Sequence, residues 1–355
     1  MIITRLELRN FRSYPSLGLD FSEKDNVLIG KNGAGKTNLV EGIYLLSLCK
    51  SWRSNDIRTL IRQGEEAAFI RAYVREGEMS RKIEILITPK GKKISLNDKP
   101  VKRLSELSKL VNVTLFSPED VNLFKDPPSS RRSFLDVSIS KESVPYLSLI
   151  GRYGKILQER NVALKSPNPD KIYLEVLTNQ LIDVSEPITR YRREYLTRLN
   201  EILSEVANAL YENNRSLRLI YKPFVKENDF RETASKLYRK NLDNDLLHKT
   251  TTIGVHREDF SLLLDGNDIA LYGSQGENRL AAIALKIAPY FLIQEQEKKP
   301  ITILDDVYSE LDDKHSLRLT KLLKNLGQVF VTTADYSIKG DVLIDVSKEN
   351  ATRRK

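Results

Sequence analysis

The sequence predicts an α/β fold: a mixed sheet with an antiparallel meander beside it, forming a nucleotide-binding head that a helical arm domain interrupts. Three observations carry that prediction. The stretch Gly30-Lys31-Asn32-Gly33-Ala34-Gly35-Lys36-Thr37 fits the phosphate-loop pattern G-x-x-x-x-G-K-[ST] and stands between an apolar strand, Val27-Leu28-Ile29, and a helical stretch, Thr37 to Lys50. A second apolar strand, Ile301-Thr302-Ile303-Leu304, ends in the carboxylate pair Asp305-Asp306. Between the two, from Asp126 to about Asn244, the periodicity is helical. The head is therefore read as residues 1–126 and 245–355, and the arm as 127–244.

In chain order, Ile2, Leu6 and Leu8 alternate as in a strand, and Asn10-Phe11-Arg12-Ser13-Tyr14 closes it ahead of a second strand near Leu17 to Phe21. After the phosphate-loop helix, Asp56 to Arg62 has a helical pattern. Residues 67–97 alternate in segments separated by turn residues such as Pro89-Lys90-Gly91-Lys92, which is the meander. Val111 to Phe116 is a short apolar strand running into Ser117-Pro118-Glu119-Asp120, where Ser117 suits an N-cap and Pro118 a first helical position. Asp126-Pro127-Pro128 marks the first boundary. One apolar stripe then runs from Tyr146 to Leu164 and another from Tyr173 to Leu210, joined by Ser166-Pro167-Asn168-Pro169. The connector is short enough to make the pair antiparallel, and Pro187 should kink the longer helix. A strand from Ser261 follows. Tyr272 to Arg279 then opens an apolar helix that Pro289 limits or kinks, and the strand from Gln328 to Val331 comes after Asp305-Asp306.

Composition bounds the function. Lys plus Arg number 57 and Asp plus Glu 48 over 355 residues, a formal charge of +9. That balance suits a polyanion, although a basic protein with no such partner has it too. There is no run of 18 apolar residues and no signal-like start, so the reading is a cytoplasmic protein with no membrane span. The single cysteine, Cys49, excludes an internal disulfide and a paired-cysteine metal clip.

The chemistry sits in three places. In the phosphate loop the glycines let backbone N–H groups curl around a polyphosphate, Lys36 brings its ammonium to the outer phosphates, and the Thr37 hydroxyl is a ligand for Mg²⁺. The start of the following helix adds partial positive charge at the same spot. A nucleoside triphosphate with Mg²⁺ is the expected ligand pair. Asp305 fits a Walker B acid that holds the metal through its water shell, and Asp306 is placed to orient or deprotonate the attacking water. Ser274-Gln275-Gly276-Glu277 puts a hydroxyl and free backbone N–H groups at a helix N-terminus. This is either a second anion site, completed by a partner molecule's nucleotide, or an ordinary capped helix. Arg12 is placed to reach the nucleotide or to sit in a solvated turn. Lys90, Lys92, Lys93, Lys99, Lys102 and Arg103 form the densest basic cluster, either a contact surface for DNA phosphates or a solvated loop.

With these motifs in hand, the chain resembles the RecF family of bacterial recombination mediators, related to SMC-type and ABC-type ATPases. Beyond the phosphate loop, the resemblance rests on Leu8-Arg9-Asn10-Phe11-Arg12, Lys50-Ser51-Trp52-Arg53, Phe116-Ser117-Pro118-Glu119-Asp120 and Arg131-Arg132-Ser133-Phe134-Leu135-Asp136. In the C-terminal half it rests on His256-Arg257, Asp259-Phe260, Gly273-Ser274-Gln275-Gly276, Leu304-Asp305-Asp306-Val307 and Ser309-Glu310-Leu311-Asp312. Glu277-Asn278 stands where the family usually has two glutamines. The resemblance implies an ABC-type P-loop ATPase head with a helical lever arm and an ATP-dependent homodimer, each ATP lying between one phosphate loop and the other copy's Ser274 stretch. It implies binding to duplex DNA and duplex–single-strand junctions, partnership with RecR and through it RecO, help in loading RecA, and slow hydrolysis. It also implies a nucleotide contact for Arg53 and a role in sensing Mg²⁺ or water for Glu119, each with a surface salt bridge as the alternative. An SMC-type filament protein would need hundreds of heptad residues between the nucleotide motifs. A transporter subunit would need a membrane-coupling surface, and a small-molecule kinase would have no use for Ser274-Gln275-Gly276.

Overall fold

The computed structural model describes residues 1–101, 111–226 and 229–354, and Lys102 and Arg103 of the basic cluster lie outside them. The chain forms two compact units, Met1–Val121 with Glu205–Asn214 and Arg279–Lys355, and Asn122–Ser204 with Arg215–Asn278. These bounds differ from the expected ones for a local reason. Leu217–Lys222, inside the stretch read as helical, alternates buried and exposed residues at its start and is a strand, β9. It pairs antiparallel with β10 (Asp259–Leu264), which draws residues 215–278 into the unit of the helices.

The first unit has two six-stranded sheets. One is antiparallel and contains β1 (Ile2–Phe11), β2 (Tyr14–Asp20), β4 (Ala68–Glu76), β5 (Met79–Thr88), β6 (Gly91–Leu96) and β7 (Lys99–Pro100), in the order β2-β1-β4-β5-β6-β7. Ile70, Ala72 and Val74 on β4 and Ile83, Ile85 and Ile87 on β5 alternate onto its buried face. On the other face Arg71 bridges two strands, to Glu7 at 3.0 Å and Glu84 at 2.7 Å. The second sheet contains β3 (Asp25–Ile29), β8 (Val113–Phe116), β12 (Ile301–Asp305), β13 (Val329–Thr333), β14 (Val342–Ser347) and β15 (Asn350–Arg353). Its order is β15-β14-β3-β13-β12-β8, parallel except for β15 at the edge. Every residue of β12 and β13 is buried, as a parallel sheet covered on both faces requires.

Helix α1 (Lys36–Leu48) packs into the core that both sheets share. Leu39, Val40, Ile43, Leu45 and Leu46 are all fully buried, so the helix has no solvent stripe to speak of. Gln328 ties the two sheets together at the far end. Its amide accepts from the Ile3 N–H at 2.7 Å and donates to the carbonyls of Ile3 at 2.8 Å and Ser22 at 2.7 Å.

The second unit holds α2 (Pro128–Glu142), α3 (Val144–Leu164) and most of α4 (Lys171–Leu210). With them are α5 (Phe230–Lys240), α6 (Leu242–His248), α7 (Ile269–Tyr272) and the three-stranded sheet β11-β10-β9, with β11 at Asn267–Asp268. Helix α4 continues through Pro187, and α8 (Gln275–Leu292) continues through Pro289, so neither proline ends its helix. Buried ion pairs fasten this unit: Arg192 to Glu258 and Asp136, Arg160 to Asp245, and Arg131 to Asp259. Arg131 and Asp136, from one sequence motif, and Asp259, from another, all belong to this framework.

Gln328→Leu removes every one of those hydrogen bonds, leaving the N–H and carbonyl of buried Ile3 without that partner, while the Ser22 carbonyl keeps the Asn26 amide at 2.9 Å. It should lower the unfolding free energy by about 2 to 4 kcal/mol. Urea melts of the variant and the wild type measure it, and a loss below about 0.5 kcal/mol would mean the bridge between the sheets is held elsewhere.

Candidate nucleotide site

The parallel strands β3, β13, β12 and β8 all end at one edge of the second sheet, the usual place for a ligand in such a sheet. The phosphate loop leaves β3 there. Gly30 has no alternative, because a Cβ at that position would lie 2.3 Å from the Val346 carbonyl oxygen on β14. Gly35 caps α1 at φ 107°, in the left-handed region, and its carbonyl accepts from the Tyr14 hydroxyl at 3.0 Å. Lys31, Asn32 and Gly33 are exposed and Ala34 is half-buried, its N–H donating to the Lys31 carbonyl at 3.1 Å. Lys36 is buried, with its Nζ donating to the carbonyls of Gly30 at 2.6 Å and Lys31 at 3.1 Å. Burial lowers its pKa from the ordinary value, while the nearby Asp306 and Asp305 carboxylates pull it back up.

Across the sheet edge, the Thr37 hydroxyl donates to Asp305 Oδ1 at 3.0 Å. Thr332 on β13, the strand between, donates to the same oxygen at 2.6 Å. Asp305 is almost fully buried, which raises its pKa, and the two threonine hydrogen bonds oppose that shift. Asp306 follows with φ 50°, a left-handed turn whose N–H donates to the Thr332 hydroxyl at 2.9 Å. Thr332 therefore orients both acids, a role the sequence reading did not assign. A hydroxyl beside a carboxylate is the kind of oxygen pair Mg²⁺ takes alongside waters and phosphate oxygens, so Thr37 and Asp305 fit the metal role read from the sequence.

The two arginines are bound to a residue that the sequence reading passed over. Glu41, fully buried on α1, accepts from Arg12 Nε at 2.8 Å and Nη2 at 2.6 Å, from Ser51 Oγ at 2.5 Å, and from Arg53 Nη1 at 3.3 Å. Arg12 is thus not a solvated turn residue: its Nε and Nη2 are both held by Glu41. Glu119 is exposed on the short helical turn Pro118–Asn122. Its neighbour Asp120 is the acid that is held there, by the Ser117 N–H at 2.8 Å and by Lys286 at 2.7 Å.

In the second unit, Ser274, Gln275 and Gly276 are exposed at the start of α8. Ser274 is not left with outward donors only. Its N–H donates to Glu277 Oε2 at 2.9 Å and its hydroxyl accepts from the Glu277 N–H at 3.2 Å, a reciprocal capping box. The Ser274 N–H hydrogen bond is the largest cause of the lowered pKa of Glu277. Arg215 also holds that carboxylate, at 2.8 Å. In the basic cluster Lys90, Lys93 and Lys99 are exposed, whereas Lys92 is half-buried and donates its ammonium to the Cys49 carbonyl at the end of α1.

A sequence profile of the RecF/RecN/SMC N terminal domain matches residues 2–354. This chain belongs to the RecF family. It is 36% identical over 359 residues to the DNA replication and repair protein RecF of Ligilactobacillus salivarius (strain UCC118), covering 98% of this chain and 95% of that one. It is 36% identical over 344 residues to the RecF of Bacillus cereus (strain AH820), covering 94% and 92%. Among solved structures it is similar to the recombination mediator protein RecF with ATP, in the RecFOR pathway, with a TM-score of 0.91 at 33% identity over 99% of this chain and 97% of that one. The Smc head domain of Pyrococcus furiosus shares the fold, with a TM-score of 0.61 at 17% identity over 99% and 95%. The family member described here thus has the ABC-type ATPase head fold of RecF and SMC proteins.

Thr332→Val keeps the shape of Thr332 and removes the hydroxyl that Asp305 and Asp306 share. ATP turnover should fall about tenfold or more while ATP affinity stays within about threefold, because the loss concerns the orientation of the acids. Steady-state ATPase rates alongside equilibrium ATP binding separate the two. Unchanged turnover would show that the acids orient themselves.

Proposed function

We propose that this RecF-family chain is an ATP-dependent DNA-binding protein of recombinational repair. Two copies close on two ATP molecules, each between one copy's phosphate loop and the other's Ser274 stretch. The closed pair holds DNA near duplex–single-strand junctions and, with RecR and through it RecO, helps RecA onto single-stranded DNA. Hydrolysis is slow, DNA-dependent, and serves release. The work is cytoplasmic, and among the described residues no helix is long and apolar enough to cross a membrane.

The observation that carries this reading is the joining of Lys36, Thr37, Asp305 and Thr332 at one sheet edge, in a chain similar along nearly its whole length to a RecF solved with ATP. In operation Lys36 exchanges its two loop carbonyls for the outer phosphate oxygens, a stronger charge-assisted partner. Mg²⁺, when bound, neutralises the charge that develops on those oxygens. Thr37 and Asp305 are the residues that would hold it. Asp306 accepts the proton of the attacking water, and its turn is fixed by Thr332.

Ser274→Arg fills the space where the partner's phosphate must enter. The variant should bind ATP as a monomer and lose ATP-dependent dimerisation and hydrolysis together. Sedimentation with and without ATP checks this, and a variant that still pairs on adding ATP would reduce the Ser274 stretch to a capped helix.

For DNA, the charge on the outer face of the antiparallel sheet is partly spent within the protein, with Arg5, Arg71 and Lys82 all paired to acids. Lys92 is likewise committed, which leaves Lys90, Lys93 and Lys99 as the exposed candidates among the described residues of the cluster. Reversing Lys93 and Lys99 to Glu should weaken DNA binding alike across sequences and flatten its salt dependence. An unchanged slope of log affinity against log salt would place the DNA on another surface.

A further inference from the structure

The buried carboxylate of Glu41 is in contact with two arginines that differ in how they meet it. Arg12 presents a closed fork. Its Nε and Nη2 both point at Glu41, its side chain is 14% exposed, and its backbone is pinned at φ 53° with its N–H on the Leu60 carbonyl at 3.0 Å. Arg53 makes one longer contact, through Nη1 alone at 3.3 Å, and its side chain is 38% exposed. The same Nη1 donates to Asn38 Oδ1 at 2.8 Å. The Asn38 amide in turn donates to Ser13 Oγ at 2.9 Å, which fixes which side of it faces the arginine. Arg53 Nε and Nη2 make no hydrogen bond to the described residues. A guanidinium has five donors in a rigid plane, so anchoring one corner aims the rest.

From this asymmetry we propose that Glu41 is a positioning residue for the nucleotide site: it locks Arg12 as a structural brace and holds Arg53 by one nitrogen, so that the open edge of Arg53 faces the phosphates. The inference rests on the reading of Arg53 as a nucleotide contact. Position along α1 supports it. Asn38 directly follows Thr37, the residue bonded to Asp305, and Glu41 lies one helical turn further on, so the anchored guanidinium sits beside the first turn of the phosphate-loop helix. Charge supports it as well. Two guanidinium groups share one carboxylate, and the surplus positive charge lies on the arginine with donors to spare. Ser51, whose hydroxyl donates to Glu41, accepts from the Arg53 N–H at 2.9 Å, so the same acid also shapes the turn that carries Arg53. The ligand class is an anion with several oxygens, the outer phosphates of a nucleoside triphosphate, and a planar fork recognises it better than a point charge does.

The test is a double-mutant cycle read by binding rather than by turnover. Affinities for fluorescent ATP and ADP analogues with Mg²⁺ are measured, under conditions where hydrolysis is negligible, for the full-length protein and the Arg53→Ala, Glu41→Gln and doubly substituted variants. Arg53→Ala should lower the ratio of ATP to ADP affinity about tenfold, the loss of charge-assisted hydrogen bonds to an outer phosphate. Glu41→Gln should lower the same ratio by about three- to tenfold, and adding it to Arg53→Ala should change nothing further. A Glu41→Gln effect that persists undiminished without Arg53, or that falls equally on ATP and ADP, overturns the proposal. An unchanged ratio in Arg53→Ala instead removes the reading of Arg53 as a nucleotide contact, and with it the proposal. If Glu41→Gln does not give a cooperative melt, Asn38→Ala takes its place. It removes the other anchor of Arg53, leaves the buried Arg12–Glu41 pair intact, and carries the same expectations.

Discussion

The hydrogen bond from Thr37 to Asp305 joins residues 268 positions apart, and much of the first unit is arranged so that it can form. For the hydroxyl after the phosphate loop to meet the acid at the end of β12, both strands must run the same way and stop at the same edge. They are separated by β13, whose Thr332 spans the gap by donating to the same oxygen. The register follows: Thr332 pairs with Asp305 on one side and Leu28 on the other. A shift of one residue would turn the acid to the opposite face. Every residue of β12 and β13 is buried, which makes such a shift costly and keeps the three side chains in place.

Buried charge is the second constraint, and it recurs in both units. Glu41, Arg160, Asp245, Arg192 and Glu258 are all nearly inaccessible. An ion pair of this kind adds little net stability, because desolvation offsets most of the attraction, but losing one partner strands the other at a cost of about 3 to 5 kcal/mol. Such pairs therefore specify geometry. Arg192 reaches Glu258, Asp136 and the Val255 carbonyl at once, so α4, α2 and the segment before β10 can pack only one way. Glu41 imposes the same discipline on the segments that carry Arg12 and Arg53.

What was legible in the sequence was whatever has a local signature. The phosphate loop, the apolar strand ending in Asp305-Asp306, the alternating meander and the two long helical stripes all declare themselves through spacing within a dozen or so residues. Less legible were pairings between distant segments. Glu41 reads as an ordinary helical glutamate, since nothing in its own turn shows that Arg12 and Ser51 arrive beside it. Thr332 looks like one of many strand threonines until Asp305 is placed across from it. The strand Leu217–Lys222 did carry a signal, the alternation Leu217-Arg218-Leu219, but it was too short to interrupt the helical pattern around it. Ser274-Gln275-Gly276-Glu277 likewise matches the capping-box pattern, and that reading was available beside the anion-site reading.

Those two readings of Ser274 need not conflict, and their combination bears on how firmly two copies would hold each other. The capping box satisfies the Ser274 N–H with the Glu277 carboxylate, so a phosphate that takes that donor, rather than the Ser274 hydroxyl, displaces a partner worth about 1 kcal/mol. It also meets a negative charge at the helix start, only partly offset by Arg215, which divides itself between Glu277 and Asp265. Pairing of copies across this stretch would therefore gain less than a bare helix N-terminus suggests. If two copies pair as proposed, the last phosphate would then decide between the paired and the open state, since only a triphosphate offers the contact that offsets this repulsion. Under the proposed function, that is what a head must have if hydrolysis is to release its DNA.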